Sequence, residues 1–191
     1  MPRRTTPFLN GHYYHIYNRG AGKHAIFKEQ DNYLYILRQT KDCARLFNLT
    51  IIAYVLMPNH YHFLIRQDSD APVSELPKRV FGGYSRAVNR RYGWSGTLFE
   101  GRFQAIHITE DAHLRHLCRY IHANPVLHGF VNTPETWPYS NYLEWIGKRP
   151  GTLVNHAFIQ EYFPNRSDYI QFVRDLIEGR SPIPETLKFP G

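Results

Sequence analysis

Residues 49–65 read LTIIAYVLMPNHYHFLI, and the way this stretch divides decides the fold. Its first nine residues are almost all apolar and rich in β-branched side chains, the composition of a buried central strand. Pro58-Asn59 is turn chemistry, so HYHFLIR from His60 onward is expected as the antiparallel partner of a central strand. Side chains alternate along a strand, which puts His60, His62 and Leu64 on one face and Tyr61, Phe63 and Ile65 on the other. At a rise of ~3.3 Å per residue the two histidine Cα atoms lie ~6.5 Å apart, close enough for both rings to lean toward one ion. Two readings of the pair stand at this point: metal ligands lacking a third, or hydrogen-bonded imidazoles on a sheet surface.

Outward from the hairpin, HYYHIYNRG (12–20) alternates in strand fashion and stops at a glycine, giving a first strand. Between Asp31 and Phe47 the apolar positions Tyr33, Ile36, Leu37, Ala44 and Phe47 follow helical spacing. A second helix is expected over Ser74 to Tyr92, with Leu76, Val80, Tyr84, Ala87 and Val88 inward, although Gly82-Gly83 lowers its propensity. GWSG (93–96) marks a loop, and TLFEGRFQAIHI (97–108) is expected as a bent strand or hairpin. Thr109 is the expected N-cap of a third helix, with Glu110 and Asp111 in its first turn. That helix buries Leu114, Leu117, Cys118 and Ile121 and is expected to stop near Asn124, before Pro125. The order of elements implies an α+β fold: a ferredoxin-like antiparallel sheet with helices on one face, over residues 1–148. Residues 149–191 carry Tyr169, Phe172, Val173, Leu176 and Ile177 at helical spacing and are expected to form a C-terminal helical appendage.

The charge balance points to a polyanionic partner: 23 Lys+Arg against 16 Asp+Glu, a net +7 and a pI near 9.5. Lys78, Arg79, Arg86, Arg90 and Arg91 cluster away from the inward positions of the second helix, as a DNA contact or as a solvated face. Arg102 and Arg119 are further candidates for holding phosphates. Cys43 and Cys118 fall on apolar helix faces with no metal or redox spacing, and read as buried thiols in a reducing compartment. Behind Arg3 and Arg4, TTPFLNGHYY lacks an apolar signal core, and LTIIAYVLM is too short to span a bilayer. The expected location is cytoplasmic, with no membrane partner.

Tyr120 and Asn124 are four residues apart, so on the third helix they sit one above the other, offset from its buried stripe. They are either a phenol and an amide facing the histidines, or a rim residue and a helix-end residue before a proline. Periodicity does not choose between these.

Five segments bear on the choice. YNRG (17–20), YVLMPNHYHFLI (54–65), GRF (101–103), RYIHANPV (119–126) and WPYSNY (137–142) resemble, in order and spacing, the REP-associated tyrosine transposases, a branch of the HUH single-tyrosine transposases. The resemblance spans residues 8–146. It implies that His60 and His62 are metal ligands, that Asn124 takes the place of a third ligand where other branches use glutamine, and that Tyr120 is the nucleophile. It further implies a divalent ion, Mg²⁺ or Mn²⁺, and single-stranded DNA carrying a short imperfect hairpin beside a tetranucleotide as substrate. The expected chemistry leaves a 5′-phosphotyrosine and a free 3′-OH, and a monomer is expected to carry it out. Imidazole ligands favour Mn²⁺ over the harder Mg²⁺. Two other outcomes stay open: a hairpin-binding protein without cleavage, and a small-phosphoester hydrolase that does not need Tyr120.

Overall fold

The structure, a computed structural model, describes residues 7–182 and 184–185. Arg3 and Arg4 lie outside them. Four strands, β1 (Tyr13–Arg19), β2 (Leu49–Met57), β3 (His60–Gln67) and β4 (Gln104–Ile108), form an antiparallel sheet in the order β2-β3-β1-β4. The hairpin read from residues 49–65 is β2-β3, closed by Pro58-Asn59, with one register shift between Ile51 and Ala53. β1 ends where the sequence placed its stop. A Cβ on Gly20 would lie 2.1 Å from the carbonyl oxygen of His24, so only glycine lets the chain fold back this tightly.

Two helices, α1 (Gln30–Leu46) and α2 (Glu75–Tyr92), cover one face of the sheet. There Tyr14, Ile16, Tyr54, Leu56, Tyr61, Phe63 and Ile65 pack against Tyr33 and Ile36 of α1 and Val80, Phe81 and Tyr84 of α2. This is the expected ferredoxin-like layer. The opposite face is covered as well. α3 (Asp111–Leu127) lays Leu114, Leu117, Cys118 and Ile121 over Ala53, Val55, Met57 and Leu64, so helices occupy both faces rather than one.

Three local expectations shift. β2 is an edge strand by order, yet it is as buried as a central one because residues 139–141 cover its outer side. Leu56 N–H donates to Tyr139 O at 2.9 Å and Tyr54 N–H to Asn141 Oδ1 at 2.9 Å, which removes the exposed edge. Only residues 104–108 of the expected 97–108 strand pair with β1, and Gly20 bridges Phe99 in the loop before them. α3 begins after Glu110, not Thr109, and runs through Pro125 to Leu127. The Pro125 carbonyl then accepts from Phe130 N–H at 2.9 Å, which helps to close the helix end.

The C-terminal helices pack onto the rest of the fold. α4 (Tyr142–Trp145), α5 (His156–Tyr162) and α6 (Arg166–Ile177) share the α3-side core, where Trp145, Phe158, Tyr169, Val173 and Leu176 are all buried. Burying a large apolar side chain is worth about 1.5–3 kcal/mol, so Val173 and Leu176 alone fasten α6 to α3 firmly. Cys43 and Cys118 are buried free thiols. Among the described residues no helix is long and apolar enough to cross a membrane.

Candidate active site

The β1-β3 register aligns Tyr17 with His62 and Arg19 with His60. Partners across an antiparallel pair project to the same side, so His15, Tyr17 and Arg19 share the face of the two imidazoles. α3 crosses that face and presents Tyr120 and Asn124 to it. The His60 and His62 rings lie 5.2 Å apart edge to face, and the Tyr120 ring lies 5.6 Å from that of His62. Asn124 is fully buried, and its Oδ1 faces His60 Nε2 at 3.0 Å. The four residues singled out on β3 and α3 are therefore brought together within one chain.

A cavity of about 460 Å³ opens over the two imidazoles and the Tyr120 ring, lined by His60, His62, Tyr120, Tyr17, Asn18, Arg19, Lys23, Asn59, Glu100, Gly101, Arg102, Gln104 and His128. Burial dominates its electrostatics. His60 is pushed down to about 4 by desolvation, with His128 and Arg19 adding to the effect and the neighbouring Asn124 side chain opposing it. His62 falls well below the usual imidazole range, again chiefly through burial and then through His15, His60 and His128. Both rings are thus neutral near pH 7, the state in which imidazole binds a metal. Burial pushes the Tyr120 phenol up, and a hydrogen bond with the Asn124 side chain partly offsets that rise. Tyr120 is therefore a phenol, not a phenolate, at rest.

The hydrogen bonds fix how the rings are turned. Asn59 Nδ2 donates to Lys23 O at 3.4 Å, which leaves Asn59 Oδ1 to accept from His60 Nδ1 at 2.7 Å. Asn124 Nδ2 donates to Tyr120 O at 3.1 Å, which turns its Oδ1 toward His60. In a neutral ring whose proton sits on Nδ1, Nε2 carries a lone pair. Behind the site, His15 Nε2 lies 2.9 Å from His62 Nδ1, and Tyr17 stacks on His62 with ring centroids 5.7 Å apart. Such outer partners set the orientation and basicity of an imidazole. Among the described residues no group of three or more His, Cys, Asp or Glu side chains is arranged to hold a metal.

The basic residues divide. Arg102 lines the cavity. Lys78, Arg79, Arg86, Arg90 and Arg91 are exposed on α2, across the sheet from the imidazoles, and several have acidic neighbours: Lys78 and Arg79 pair with Glu75, and Arg91 with Glu29. Arg119 is a correction. It is 1% exposed, with its guanidinium 4.2 Å above the Phe172 ring of α6, so it does not reach a phosphate. α3 is covered on two sides, and the expectation had allowed for one.

His15, Tyr17, Arg19, Glu100 and His128 were not singled out from sequence. Alternation in β1 carried a usable signal for three of them, since His15, Tyr17 and Arg19 follow at i, i+2 and i+4, the spacing of one strand face. Glu100 and His128 join the cavity only through tertiary contacts.

Residues 8–124 match the family described as Transposase IS200 like. Among curated proteins the chain is similar to the REP-associated tyrosine transposase of Escherichia coli (strain K12), 30% identical over 93 residues, 48% of this chain and 53% of the relative. A second curated relative, from Haemophilus influenzae, is 29% identical over 107 residues, 48% of this chain and 57% of its own. The chain thus spans about half the length of the curated relatives it matches. A solved structure described as a REP-associated tyrosine transposase bound to a REP hairpin shares the fold, with a TM-score of 0.65 over 82% of this chain and 96% of that one at 19% identity.

Proposed function

The chain belongs to the IS200-like transposase family, and on that premise we propose that it is a divalent-metal-dependent enzyme that cleaves and rejoins single-stranded DNA at hairpin sites, with Tyr120 as the nucleophile. The observation that carries this reading is the convergence of His60, His62, Asn124 and Tyr120 from β3 and α3 of one chain. The Tyr120 ring lies 5.6 Å from that of His62, and His60 Nε2 faces Asn124 Oδ1 at 3.0 Å. The hairpin substrate is supported by the basic charge and by the kinship with REP-associated relatives.

The donor set fits a metal. His60 Nε2 and Asn124 Oδ1 both present lone pairs, and no proton lies between them once Nδ1 holds the ring's hydrogen. Two acceptors at that separation repel each other unless a cation is shared between them. Two nitrogens and one oxygen suit Mn²⁺ better than Mg²⁺. A bound divalent ion supplies positive charge that polarises the phosphate and stabilises the negative charge that develops on its oxygens.

The chain's own residues do the rest. Burial keeps Tyr120 protonated, so its proton leaves Oη as the Oη–P bond forms. The P–O3′ bond breaks, and the departing 3′ oxygen takes up a proton. One phosphodiester is exchanged for one phosphotyrosine ester, so rejoining by a 3′-OH requires no nucleotide cofactor. His15 and Tyr17 hold His62, and Asn59 holds His60, so the imidazoles are oriented before DNA arrives. Because the tyrosine and the imidazoles come from the same chain, a monomer suffices.

The test uses a pool of labelled single-stranded oligonucleotides, each with a short hairpin and randomised flanks, incubated with Mn²⁺ and run under denaturing conditions. A covalent protein-DNA adduct is expected, absent in Tyr120→Phe and in His62→Ala, the latter still binding the hairpin. An undiminished adduct in Tyr120→Phe would refute the assignment. Hairpin binding without any adduct would make the protein a binder only.

A further inference from the structure

The cavity holds an ion pair that the proposed chemistry has not used. Arg19, across the β-ladder from His60, is clamped by Glu100: its Nε donates to Oε2, and its Nη2 to Oε1 at 2.9 Å. Two parallel hydrogen bonds fix the plane of a guanidinium as well as its position. Exposed ion pairs are worth little for stability, and both side chains here are partly exposed. The value of the pair therefore lies in placement.

Two features separate it from an ordinary surface pair. Glu100 is the single acid among the described residues lining the cavity, beside Arg19, Lys23 and Arg102. A carboxylate in a cavity meant for a polyanion lowers affinity by repulsion, so its presence calls for a compensating role. In addition, its loop is stitched to the end of β1. Glu100 N–H donates to Arg19 O at 3.0 Å, Ala21 N–H to Leu98 O at 3.0 Å, and Asn18 Nδ2 to Gly101 O at 3.1 Å. The carboxylate is placed by backbone, before any ligand arrives.

Resting on the transposase reading above, we infer that Arg19 contacts a non-bridging oxygen of the scissile phosphate, and that Glu100 is the positioning residue that aims it. A planar, always-charged guanidinium suits a phosphate whose charge spreads over its non-bridging oxygens as the Tyr120 Oη–P bond forms and the P–O3′ bond breaks. Preorganised donors of this kind typically contribute 10²–10³-fold in rate. The YNRG and EGRF segments then share one purpose, the first supplying the cation and the second its clamp.

The experiment uses the full chain and the oligonucleotide on which the wild type forms its adduct, made with either a phosphate or an uncharged methylphosphonate at the scissile position. Binding is measured in EDTA on a Tyr120→Phe background, so neither cleavage nor metal enters the readout. Methylphosphonate is expected to weaken binding about tenfold when Arg19 is present, and to have no further effect once Arg19→Gln is added. In single-turnover cleavage with otherwise wild-type protein, Arg19→Gln is expected to slow the adduct about 100-fold. Glu100→Gln is expected to slow it about tenfold while binding is kept or tightened, with Glu100→Asp restoring part of the rate. A full methylphosphonate penalty in Arg19→Gln, or an unchanged cleavage rate, would overturn the assignment of Arg19 and leave the transposase reading intact. Absence of any wild-type adduct would overturn both.

Discussion

The helix that carries Tyr120 is tied down through His122, and cutting that tie has a cost that can be worked out. His122 is fully buried. Asn141 Nδ2 donates to Ile52 O and to Leu153 O, so its Oδ1 is the acceptor of His122 Nε2–H at 2.9 Å and of Tyr54 N–H. His122 Nδ1 must then accept from the Tyr169 hydroxyl of α6. One imidazole thus joins α3 to the covered edge of β2 and to α6. In His122→Ala the Tyr169 hydroxyl keeps its burial and loses its acceptor, at about 1–3 kcal/mol. The emptied volume among Tyr142, Trp145 and Tyr169 adds roughly 2 kcal/mol. A loss of about 3–5 kcal/mol is expected, a large share of the 5–15 kcal/mol typical of a domain. Urea unfolding followed by tryptophan fluorescence measures it, in a cycle with Tyr169→Phe. Tyr169→Phe alone should cost about 1–2 kcal/mol by stripping His122 Nδ1 of its donor, and far less in the His122→Ala background. Losses that simply add, to within about 0.3 kcal/mol, would refute the His122–Tyr169 link and with it the anchoring of α3 by the C-terminal helix.

Acid should destabilise the fold through the same residue. Burial lowers His122 to about 4 against ~6.5 in an unfolded chain, so the unfolded state takes up its proton first as pH falls. Stability is unaffected by this group above pH ~6.5, declines below it by about 1.4 kcal/mol per pH unit, and levels off near pH 4 after roughly 3 kcal/mol. His15, lowered to about 3 by burial and then by His113, adds to the slope. Urea midpoints measured between pH 7 and pH 5 should therefore drop, less so in His122→Gln, and equal midpoints would count against neutral buried imidazoles. If Asn124 supplies a donor, Asn124→Ala should weaken Mn²⁺ binding about tenfold and Asn124→Asp should tighten it, read from the free-ion paramagnetic resonance signal; identical affinities would remove Asn124 from the ligand set. Since Tyr120 and His62 meet within one chain, mixing Tyr120→Phe with His62→Ala protein should restore no adduct, and recovery on mixing would point to helix exchange between two molecules.

What could be read in advance was whatever a local period encodes. The β2-β3 hairpin was legible because a nine-residue apolar run, a Pro-Asn turn and a two-residue histidine alternation agree. Tyr120 and Asn124 were legible as neighbours because four residues make about one helical turn. What is set by segments distant in sequence was not legible. Nothing in LTIIAYVLM says that it is an edge strand whose open side is closed by Tyr139 and Asn141, more than eighty residues on. Arg119 reads as a phosphate-holding cation because periodicity marks one apolar stripe, whereas α3 lies between the sheet and α6 and buries a second. Pro125 looked like a stop, but proline bars a helix only where its missing N–H and its ring cannot be accommodated, and here the helix goes on through it to Leu127.

The same burial that hides these residues sets the character of the site. A metal site built from imidazoles needs them neutral, and a covalent nucleophile that must not react prematurely benefits from being a phenol. Exposed histidines titrate near pH 6.5 and would be partly charged in mildly acidic surroundings. Placing His60 and His62 between a central strand pair and α3 removes that competition, since desolvation is the largest cause of the lowered pKa in both. The cost is that each buried ring must find hydrogen-bond partners, which explains why Asn59 and His15 stand where they do. Desolvation also raises Tyr120, so under the proposed roles one packing arrangement would keep the ligands ready and the nucleophile quiet. In the proposed reaction, activation would then come from charge delivered at the phosphate rather than from a preformed phenolate. The cations line the same cavity as the imidazoles and the phenol, with Arg19 in register with His60.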